Sequence, residues 1–378
     1  MTGMVKGRRS GMIKPMPIML LLLSTLLGLA ACGGSATTGS TLPGNQSAPV
    51  GPPGSSGGTV TLTGAGSTFI NPFFSQAFAQ YNKDHPNVRV NYQSIGSGGG
   101  IKQFTAKTVD FGASDVPMNQ QELAAAQQAN GSVIQIPVAL GAVAIAYHLP
   151  GVPSGLKLTP EAIAGIFLGK ITKWNDPAIA GKNPGVQLPA QDIAVVHRSD
   201  GSGTTYIFTD YLAHISSDWK QGRGTGKEIS WPIGVGGKGN EGVAAQVQQA
   251  PGGIGYVELA YAKEAQMTYA NVQNQDGQFV EPTLDATTAA ASQVPMVSPT
   301  NFSIVNASGA TSYPIVGYSW ALLWQRYSDA QKAQALNALM DWIVTDAQSR
   351  FATQLNYAPL PDPVQTLAKD SMAKVQGG

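Results

Sequence analysis

The sequence predicts an α/β fold with mixed sheets, arranged in two lobes. Short apolar and β-branched segments, typical of strands, alternate with helical patterns along the body of the chain, residues 59–378. At about 320 residues, this body is larger than a single hydrophobic core comfortably supports, which favours two lobes. Hydrophobic residues make up 43% of the chain, so it can build such cores and is not a disordered polyelectrolyte.

The strand predictions rest on four short segments that are rich in β-branched or apolar residues. They are Val88–Tyr92, Val109–Phe111, Ile193–Val196 and Ile254–Val257. Helical patterns lie between them, so both parallel and antiparallel neighbours are expected within the sheets.

Two amphipathic helices are predicted from the period of their apolar residues. The first begins at the Asn71-Pro72 pair and ends before Pro86, since proline fits the first turn of a helix and breaks its interior. Its apolar stripe is formed by residues at i, i+4 and i+7, namely Phe74, Phe78 and Tyr81. The stripe of the second helix, near the C-terminus, is formed by Leu336, Leu339, Met340 and Ile343.

Three glycine-serine segments are predicted as loops that each precede a helix. They are Gly64–Phe69, Ile95–Gly100 and Asp200–Thr205. Glycine lets backbone amides approach a bound group, hydroxyls add donors, and the first turn of a helix has unpaired N–H groups at its positive end. Each segment is therefore a candidate cradle for an oxyanion. The alternative for each is an ordinary turn with a helix N-cap.

Arg198 lies just after the predicted strand Ile193–Val196 and beside the third loop. A guanidinium group offers two parallel donors that match a tetrahedral oxyanion. The alternative is a surface arginine that pairs with Asp200, and the spacing alone does not decide between the two.

Four long motifs stand in order along the chain. They are GAGSTF, the SIGSGGGIKQF stretch with the following DFGASD, IAVVHRSDGSGTTYIFTDYL, and WPIGVGGKGNEGVAAQV. Together they closely resemble the phosphate-binding subunit of the phosphate-specific ABC importer. The similarity extends from about Leu62 to the segment Tyr357–Pro361, which is nearly the whole body.

The resemblance implies a two-lobe periplasmic-binding-protein-like fold of type II, with the anion in the cleft between lobes joined by two crossing hinge strands. The first crossing strand would be the uncharged stretch Gln135–Tyr147, and the return would lie near Tyr313–Trp324. Lobe 1 would then hold residues 59–137 plus 312–378, and lobe 2 residues 138–311.

The resemblance also implies a set of anion ligands. They are Ser67, Thr68, Phe69, Ser97, Asp115, Arg198, Ser202, Gly203 and Thr204. Phe69 would act through its backbone amide, Ser67 less directly than its neighbours, and Arg198 as the bidentate cation. The chain departs from the family pattern at Gly98, where many relatives carry a second serine, and at His197, where many carry an arginine.

Asp115 is the unusual member of this set, because a carboxylate facing an oxyanion is repelled unless a proton lies between them. Phosphate near neutral pH carries such a proton and sulfate does not, so Asp115 is predicted to reject sulfate by as much as ~10⁴–10⁵. The alternative is an N-cap for the helix that begins near Asn119, or a solvated loop acid.

The charge balance excludes a general nucleic-acid binder, because 23 Lys+Arg stand against 22 Asp+Glu. The single cysteine excludes an intramolecular disulfide and a Cys-rich zinc site.

Metal and cofactor sites are not expected either, because the four histidines lack paired metal-ligand spacing; they are His85, His148, His197 and His214. Segment Gly237–Gly242 fits G-x-G-x-x-G, but no clear strand ends at it, so dinucleotide binding is not expected.

The N-terminus reads as an export signal over residues 1–31. Four basic residues precede the uncharged run Ile18–Ala31, whose 14 residues are fewer than the ~20 of a membrane-spanning helix. The run ends in LAACG, which resembles a lipobox, and Cys32 would then be lipidated; the alternative is a buried cysteine after a cleavage site. Residues 32–58 read as the lipidated Cys and a flexible Gly/Ser/Pro tether.

Without the four basic residues of the signal, 19 Lys+Arg stand against 22 acids, a formal charge of −3. Anion binding would therefore depend on local dipoles, amides and one arginine rather than on net charge.

The function expected from these observations is a lipid-anchored, monomeric, extracytoplasmic receptor. It would bind hydrogen phosphate, perform no covalent chemistry, and deliver the ion to the membrane permease subunits of an ABC importer. One alternative is a secreted phosphate-ester hydrolase with Ser202 or Ser97 as nucleophile, for which His197 is the only nearby histidine. Others are a receptor tuned to sulfate or another oxyanion, and an adhesion or scaffolding protein.

Overall fold

The computed structural model describes residues 58–378, which belong to one compact unit, Ser56–Gly378. The predicted export signal, Cys32 and the tether up to residue 57 lie outside the described residues, so these interpretations stay predictions. In residues 58–378, no helix combines the length and apolar character needed to cross a membrane.

The described chain alternates strands and helices, which agrees with the α/β class. The strands are β1 (Val60–Gly66), β2 (Val88–Ser94), β3 (Phe111–Ser114), β4 (Val133–His148), β5 (Lys157–Leu158), β6 (Ala194–Arg198), β7 (Val235–Gly237), β8 (Gly253–Glu258), β9 (Thr268–Tyr269), β10 (Asn271–Gln273), β11 (Phe279–Val280), β12 (Val316–Trp324), β13 (Arg326–Tyr327) and β14 (Gln376–Gly377). The α-helices are α1 (Asn71–Asp84), α2 (Ser97–Thr105), α3 (Gln120–Asn130), α4 (Pro160–Phe167), α5 (Pro177–Ala180), α6 (Gly203–Ile215), α7 (Ser217–Gly222), α8 (Gly239–Gln249), α9 (Leu259–Glu264), α10 (Leu284–Ser292), α11 (Ala330–Val344) and α12 (Asp362–Met372). A π-helical turn (Gln348–Ala352) and a 3₁₀ turn (Thr353–Leu355) precede α12.

The main sheet has nine strands, in the order β2-β1-β3-β12-β4-β8-β6-β7, with β9 paired to β4. We call β2, β1, β3 and β12, with the helices α1 to α3, the first half. We call β8, β6 and β7, with α6 to α9 and the loops between them, the second half. Parallel pairs such as β1 with β2 coexist with antiparallel pairs such as β12 with β4. The prediction of mixed sheets is therefore confirmed.

Strand β4 joins the two halves, since it pairs with β12 at its start and with β8 at its end. Its sequence has no charged residue, and all but its two end residues are buried. Such a continuous apolar run is typical of a strand that is covered on both faces. The predicted crossing strands agree with β4 and β12 to within three residues at each end. The lobe boundaries themselves stay a prediction.

Strands β1 and β3 differ from the sequence-based expectations. Strand β3 begins at Phe111 and runs to Ser114, so the predicted strand Val109–Phe111 was placed too early. Strand β1 was not predicted at all, because its glycines are poor strand formers. Gly66 is required there: its φ is +147°, and a Cβ would lie 2.0 Å from the carbonyl oxygen of Ala113.

Both predicted helices are present, as α1 and α11. Pro72 lies in the first turn of α1, and its buried face is Phe73, Phe74, Ala77, Phe78 and Tyr81. Burial of each large side chain contributes about 1.5–3 kcal/mol, which stabilises the packing of α1 against the core.

Candidate anion-binding site

Four helices begin at the carboxyl ends of four sheet strands. Helices α1 and α2 follow β1 and β2, which run parallel in the first half. Helices α6 and α8 follow β6 and β7, which run parallel in the second half. Parallel strands bring their carboxyl ends to one edge, so the unpaired N–H groups of these first turns lie at the same edge of their half.

The glycine-serine segments were predicted as loops, and this is wrong in part. Gly64–Gly66 closes strand β1, while Ser97 begins helix α2, so the glycines Gly98–Gly100 are helical. The close approach of strand β1 explains this, since a Cβ on Gly100 would lie 2.4 Å from the Cα of Gly66. Ser202 is the N-cap of α6, since its Oγ accepts a hydrogen bond from the N–H of Thr205 at 3.0 Å; this contact does not use the hydroxyl proton.

Asp115 follows β3 in the first half and is 3% exposed. Its Oδ1 accepts hydrogen bonds from Ser67 and, at 2.6 Å, from Ser319. Its Oδ2 accepts a weaker one from Ser97 at 3.3 Å. The N-cap alternative is wrong, because Asn119 itself caps α3 in a capping box with Glu122.

Burial raises the pKa of Asp115 from its ordinary 3.8 to about 6. The hydrogen bonds from Ser319, Ser67 and Ser97 and the charge of Arg198 act in the opposite direction but do not cancel the effect. At neutral pH, Asp115 is therefore an ionised acceptor whose desolvation is only partly compensated.

Arg198, at the end of β6 in the second half, pairs with Asp200, but it does so while buried. Its Nε and Nη2 donate to the two carboxylate oxygens of Asp200 at 2.8 and 2.5 Å, and its side chain is 1% exposed. Burial acts to raise the pKa of Asp200, but the hydrogen bond and charge of Arg198 outweigh it and hold the pKa below its ordinary value. The surface alternative is therefore wrong. A second bidentate partner can meet only the Nη1/Nη2 edge, where Nη1 donates to Thr204 Oγ1 at 3.2 Å.

The candidate residues of the two halves touch one another. Ser97 Oγ accepts from the N–H of Gly203 at 3.1 Å, and the N–H of Gly98 donates to the carbonyl of Gly201 at 2.8 Å. Thr68 Oγ1 accepts from the side-chain amide of Asn240 at 2.8 Å. These contacts place the donors of helices α1, α2, α6 and α8 in one cluster.

The backbone N–H of Phe69 also lies in the cluster, where it donates to Ser67 Oγ at 2.9 Å. Its ring packs edge-on against Tyr357 and lies over Gly141 of β4. The fold thus places the nine predicted ligands together.

Asn240 is the residue that sequence reasoning missed. It lies in the GKGNEG segment, where no strand was expected, yet β7 ends directly before that segment's turn and α8 follows. The glycines of β7 hid this strand, since glycine is depleted in strands. The position of Asn240 within the fourth resembling motif was the available signal.

An ion pair also joins the halves beside the cluster. Lys227 Nζ lies 2.6 Å from Glu122 Oε2, and their side chains are 13% and 22% exposed. The carbonyl of Lys227 accepts from the N–H of Ser202 at 3.0 Å, which couples this pair to the third loop.

His197, the base that a hydrolase would need, is held away from the candidate serines. Its ring stacks on Trp231 at 4.9 Å between centroids, and its Nδ1 lies 2.9 Å from the carbonyl oxygen of Arg198. Over residues 58–378, no three His, Cys, Asp or Glu side chains are grouped in a way that could hold a metal ion.

Comparison with known proteins adds relatives along nearly the whole chain. A family model described as a PBP superfamily domain matches residues 51–347. A protein named phosphate-binding protein PstS from Xylella fastidiosa (strain 9a5c) is 44% identical over 348 residues, covering 90% of this chain and 93% of the relative. One of the same name from Pasteurella multocida is 46% identical over 307 residues, covering 80% and 87%.

A solved structure titled as a high affinity periplasmic phosphate-binding protein (PfluDING) bound with phosphate has the same fold. Its TM-score is 0.67 at 22% identity, covering 82% of this chain and 93% of that one. At this identity the likeness concerns the fold alone, and it agrees with the predicted two-lobe type II architecture. On the sequence relatives and the matched domain, the chain belongs to the PstS family of phosphate-binding proteins.

Proposed function

We propose that this protein is an extracytoplasmic receptor that binds hydrogen phosphate between its two halves and passes it to an ABC importer. The observation that carries the proposal is Asp115, a buried carboxylate surrounded by hydroxyl groups and facing the positive ends of helices. Relatives named phosphate-binding protein PstS support the same reading.

Asp115 supplies the discrimination in this proposal. Its carboxylate accepts a hydrogen bond from a protonated oxygen of the ligand, so it matches an anion that carries a hydrogen. An anion without one places acceptor against acceptor in a buried setting, which costs several kcal/mol. Phosphate near neutral pH has the required proton and sulfate does not.

The donors come from both halves. The proposed ligand atoms are the hydroxyls of Thr68, Ser97, Ser202 and Thr204, the amides of Phe69 and Gly203, and the free edge of Arg198, with Ser67 acting through Asp115. Helix N-termini add favourable dipoles, so a net negative chain does not need overall charge attraction. Because Asp200 already neutralises Arg198, the anion meets a pair whose own charge sum is zero.

Binding would shift an equilibrium between separated and touching halves. An anion held by Ser97 of the first half and Gly203 of the second makes all its contacts only when the halves touch. The importer's permease subunits would recognise the touching arrangement. We further propose that Cys32 carries the lipid anchor, that residues 32–58 form the tether, and that the receptor acts as a monomer.

The experiment is a calorimetric titration of the mature chain, residues 32–378 with Cys32→Ser, with inorganic phosphate. We expect one site with submillimolar affinity. Absence of any submillimolar binding would contradict the proposal and favour an adhesion or scaffolding role. A parallel assay of phosphate-ester turnover tests the hydrolase alternative: turnover lost in Ser202→Ala would overturn the receptor proposal.

A further inference from the structure

Asn240 is the second residue of α8 and is fully buried. The orientation of its amide is fixed by its surroundings. Its Oδ1 accepts a hydrogen bond from the backbone N–H of Glu258 at 2.9 Å. Because a backbone N–H needs an acceptor, the oxygen of the amide and not its NH₂ group must lie on this side. The Nδ2 group therefore faces the cluster and donates to Thr68 Oγ1 at 2.8 Å and to Thr204 Oγ1 at 3.2 Å.

Both threonine hydroxyls have their acceptor capacity used by these contacts. Thr68 Oγ1 accepts from the side-chain amide of Asn240 and from its backbone N–H at 3.2 Å. Thr204 Oγ1 accepts from the same amide and from Arg198 Nη1. A hydroxyl has two acceptor positions and one proton, so each threonine is left with only its proton to offer.

We propose that Asn240 is a positioning residue that turns the Thr68 and Thr204 hydroxyl protons toward the bound anion. The inference rests on the proposed function and deepens it. Thr68 belongs to the first half while Asn240 and Thr204 belong to the second, so Asn240 orients donors from both sides of the cleft at once. With its amide in place, neither threonine can serve as an acceptor, and the site presents donors at these two positions.

This arrangement complements Asp115. The acceptor at Asp115 requires a single protonated oxygen, and the oriented threonines require unprotonated oxygens at their own positions. Without Asn240, either hydroxyl could rotate and accept a hydrogen bond from a protonated oxygen of the ligand. Asn240 therefore restricts the anion to one arrangement of its protons.

Asn240→Asp is the sharpest substitution. Its Oδ1 still accepts from the N–H of Glu258, but an acceptor replaces the amide donor and draws both hydroxyl protons away from the anion. Losing two charge-assisted donors and adding a negative charge should weaken phosphate binding by about 100-fold or more. The control is Asn183→Asp: the buried Asn183 also accepts from a backbone N–H, of Lys157, and donates to the carbonyls of Lys157 and Ile179. It should leave phosphate affinity within about twofold of the parent.

A mutant cycle separates orientation from direct contact. In the mature chain, Asn240→Ala should weaken phosphate binding by about tenfold, and this loss should shrink at least about threefold in a Thr68→Val or Thr204→Val background. An undiminished loss in both backgrounds would show that Asn240 acts independently of the threonines and would overturn the inference. Unchanged affinity in Asn240→Asp would overturn it too. If Asn240→Asp does not fold, the cycle decides alone. A parent chain that does not bind phosphate would instead refute the proposed function.

Discussion

The two halves of the candidate site each contribute an aspartate, the buried Asp115 and the partly buried Asp200, and their surroundings shift the two pKa values in opposite directions. In the first half, Asp115 is surrounded by serine hydroxyls, and burial raises its pKa to about 6. In the second half, Asp200 is held by the guanidinium group of Arg198, which keeps its pKa below the ordinary value. The second half thus contains an ion pair whose charges cancel, whereas the carboxylate of Asp115 in the first half is in direct contact with hydroxyl groups rather than with a cation. Under the proposed function, donors of both halves hold the anion, and Asp115 accepts a hydrogen bond from its protonated oxygen.

The buried carboxylate of Asp115 lowers the stability of the folded chain when it is ionised. A carboxyl whose pKa is about 6 in the folded chain and 3.8 ordinarily binds more protons when folded between these values. Its contribution to stability therefore falls as the pH rises from about 4 to about 6, and a penalty of about 3 kcal/mol is fully present at pH 7. A site built only for stability would pair Asp115 directly with a cation.

The largest predicted effect comes from breaking the balanced pair with Arg198→Gln. Loss of the cation should reduce phosphate affinity by about 1000-fold. It should also leave the largely desolvated carboxylate of Asp200 with no charge partner and with a hydrogen bond from the N–H of Gly239, which lowers the free energy of unfolding by about 3 kcal/mol. Calorimetry and urea unfolding measure the two effects.

A second substitution separates affinity from stability. Asp200→Asn added to Arg198→Gln should recover most of the stability and little of the affinity. The control is Arg350→Gln, whose pair with Asp84 is exposed and should be worth at most about 1 kcal/mol. If Arg198→Gln and Arg350→Gln lower the free energy of unfolding by the same amount, the stabilising role of the Arg198–Asp200 pair is contradicted.

The next effect concerns the stability penalty of Asp115. Asparagine cannot ionise, so Asp115→Asn escapes the penalty that the parent acquires with rising pH. The free energy of unfolding of Asp115→Asn minus that of the parent should increase by up to about 3 kcal/mol between pH 4 and pH 7. Urea unfolding in phosphate-free buffer measures it, and a difference that does not change with pH would refute the raised pKa.

The smallest effect concerns the ion pair that joins the halves. Glu122→Gln removes the charge facing Lys227 but retains a side chain that can serve the capping box with Asn119. The equilibrium between touching and separated halves should then shift toward separated halves. Phosphate should dissociate faster, and its affinity should fall about two- to fivefold. Stopped-flow kinetics measures the rate. Asp192→Asn, which breaks the exposed pair with Lys173, is the control and should leave the dissociation rate unchanged. Equal dissociation rates in both variants would rule out the joining role.

Much of the fold follows from local patterns in the sequence. The uncharged run of β4 and the spacing of Phe74, Phe78 and Tyr81 each predict one buried element, because their periodicity is set by local geometry. The start of α2 could not be predicted, since three consecutive glycines favour a loop and only packing of Gly100 against Gly66 makes them helical.

The candidate site was predictable where resembling motifs carry it and not where distant segments meet. Asp115 and Arg198 lie in such motifs. The pairing of Lys227 with Glu122, which are 105 residues apart, depends on how the two halves come together. The burial that raises the pKa of Asp115 is likewise a property of the assembled fold.

The central claim is that Asp115 selects an anion by its proton. The most direct measurement is calorimetric titration of the mature chain with phosphate and with sulfate at pH 7, repeated with Asp115→Asn. The parent should bind sulfate about 10⁴-fold or more weakly than phosphate, and Asp115→Asn should narrow that ratio at least about 100-fold. Equal affinities of the parent for the two anions, or an unchanged ratio in Asp115→Asn, would contradict the claim.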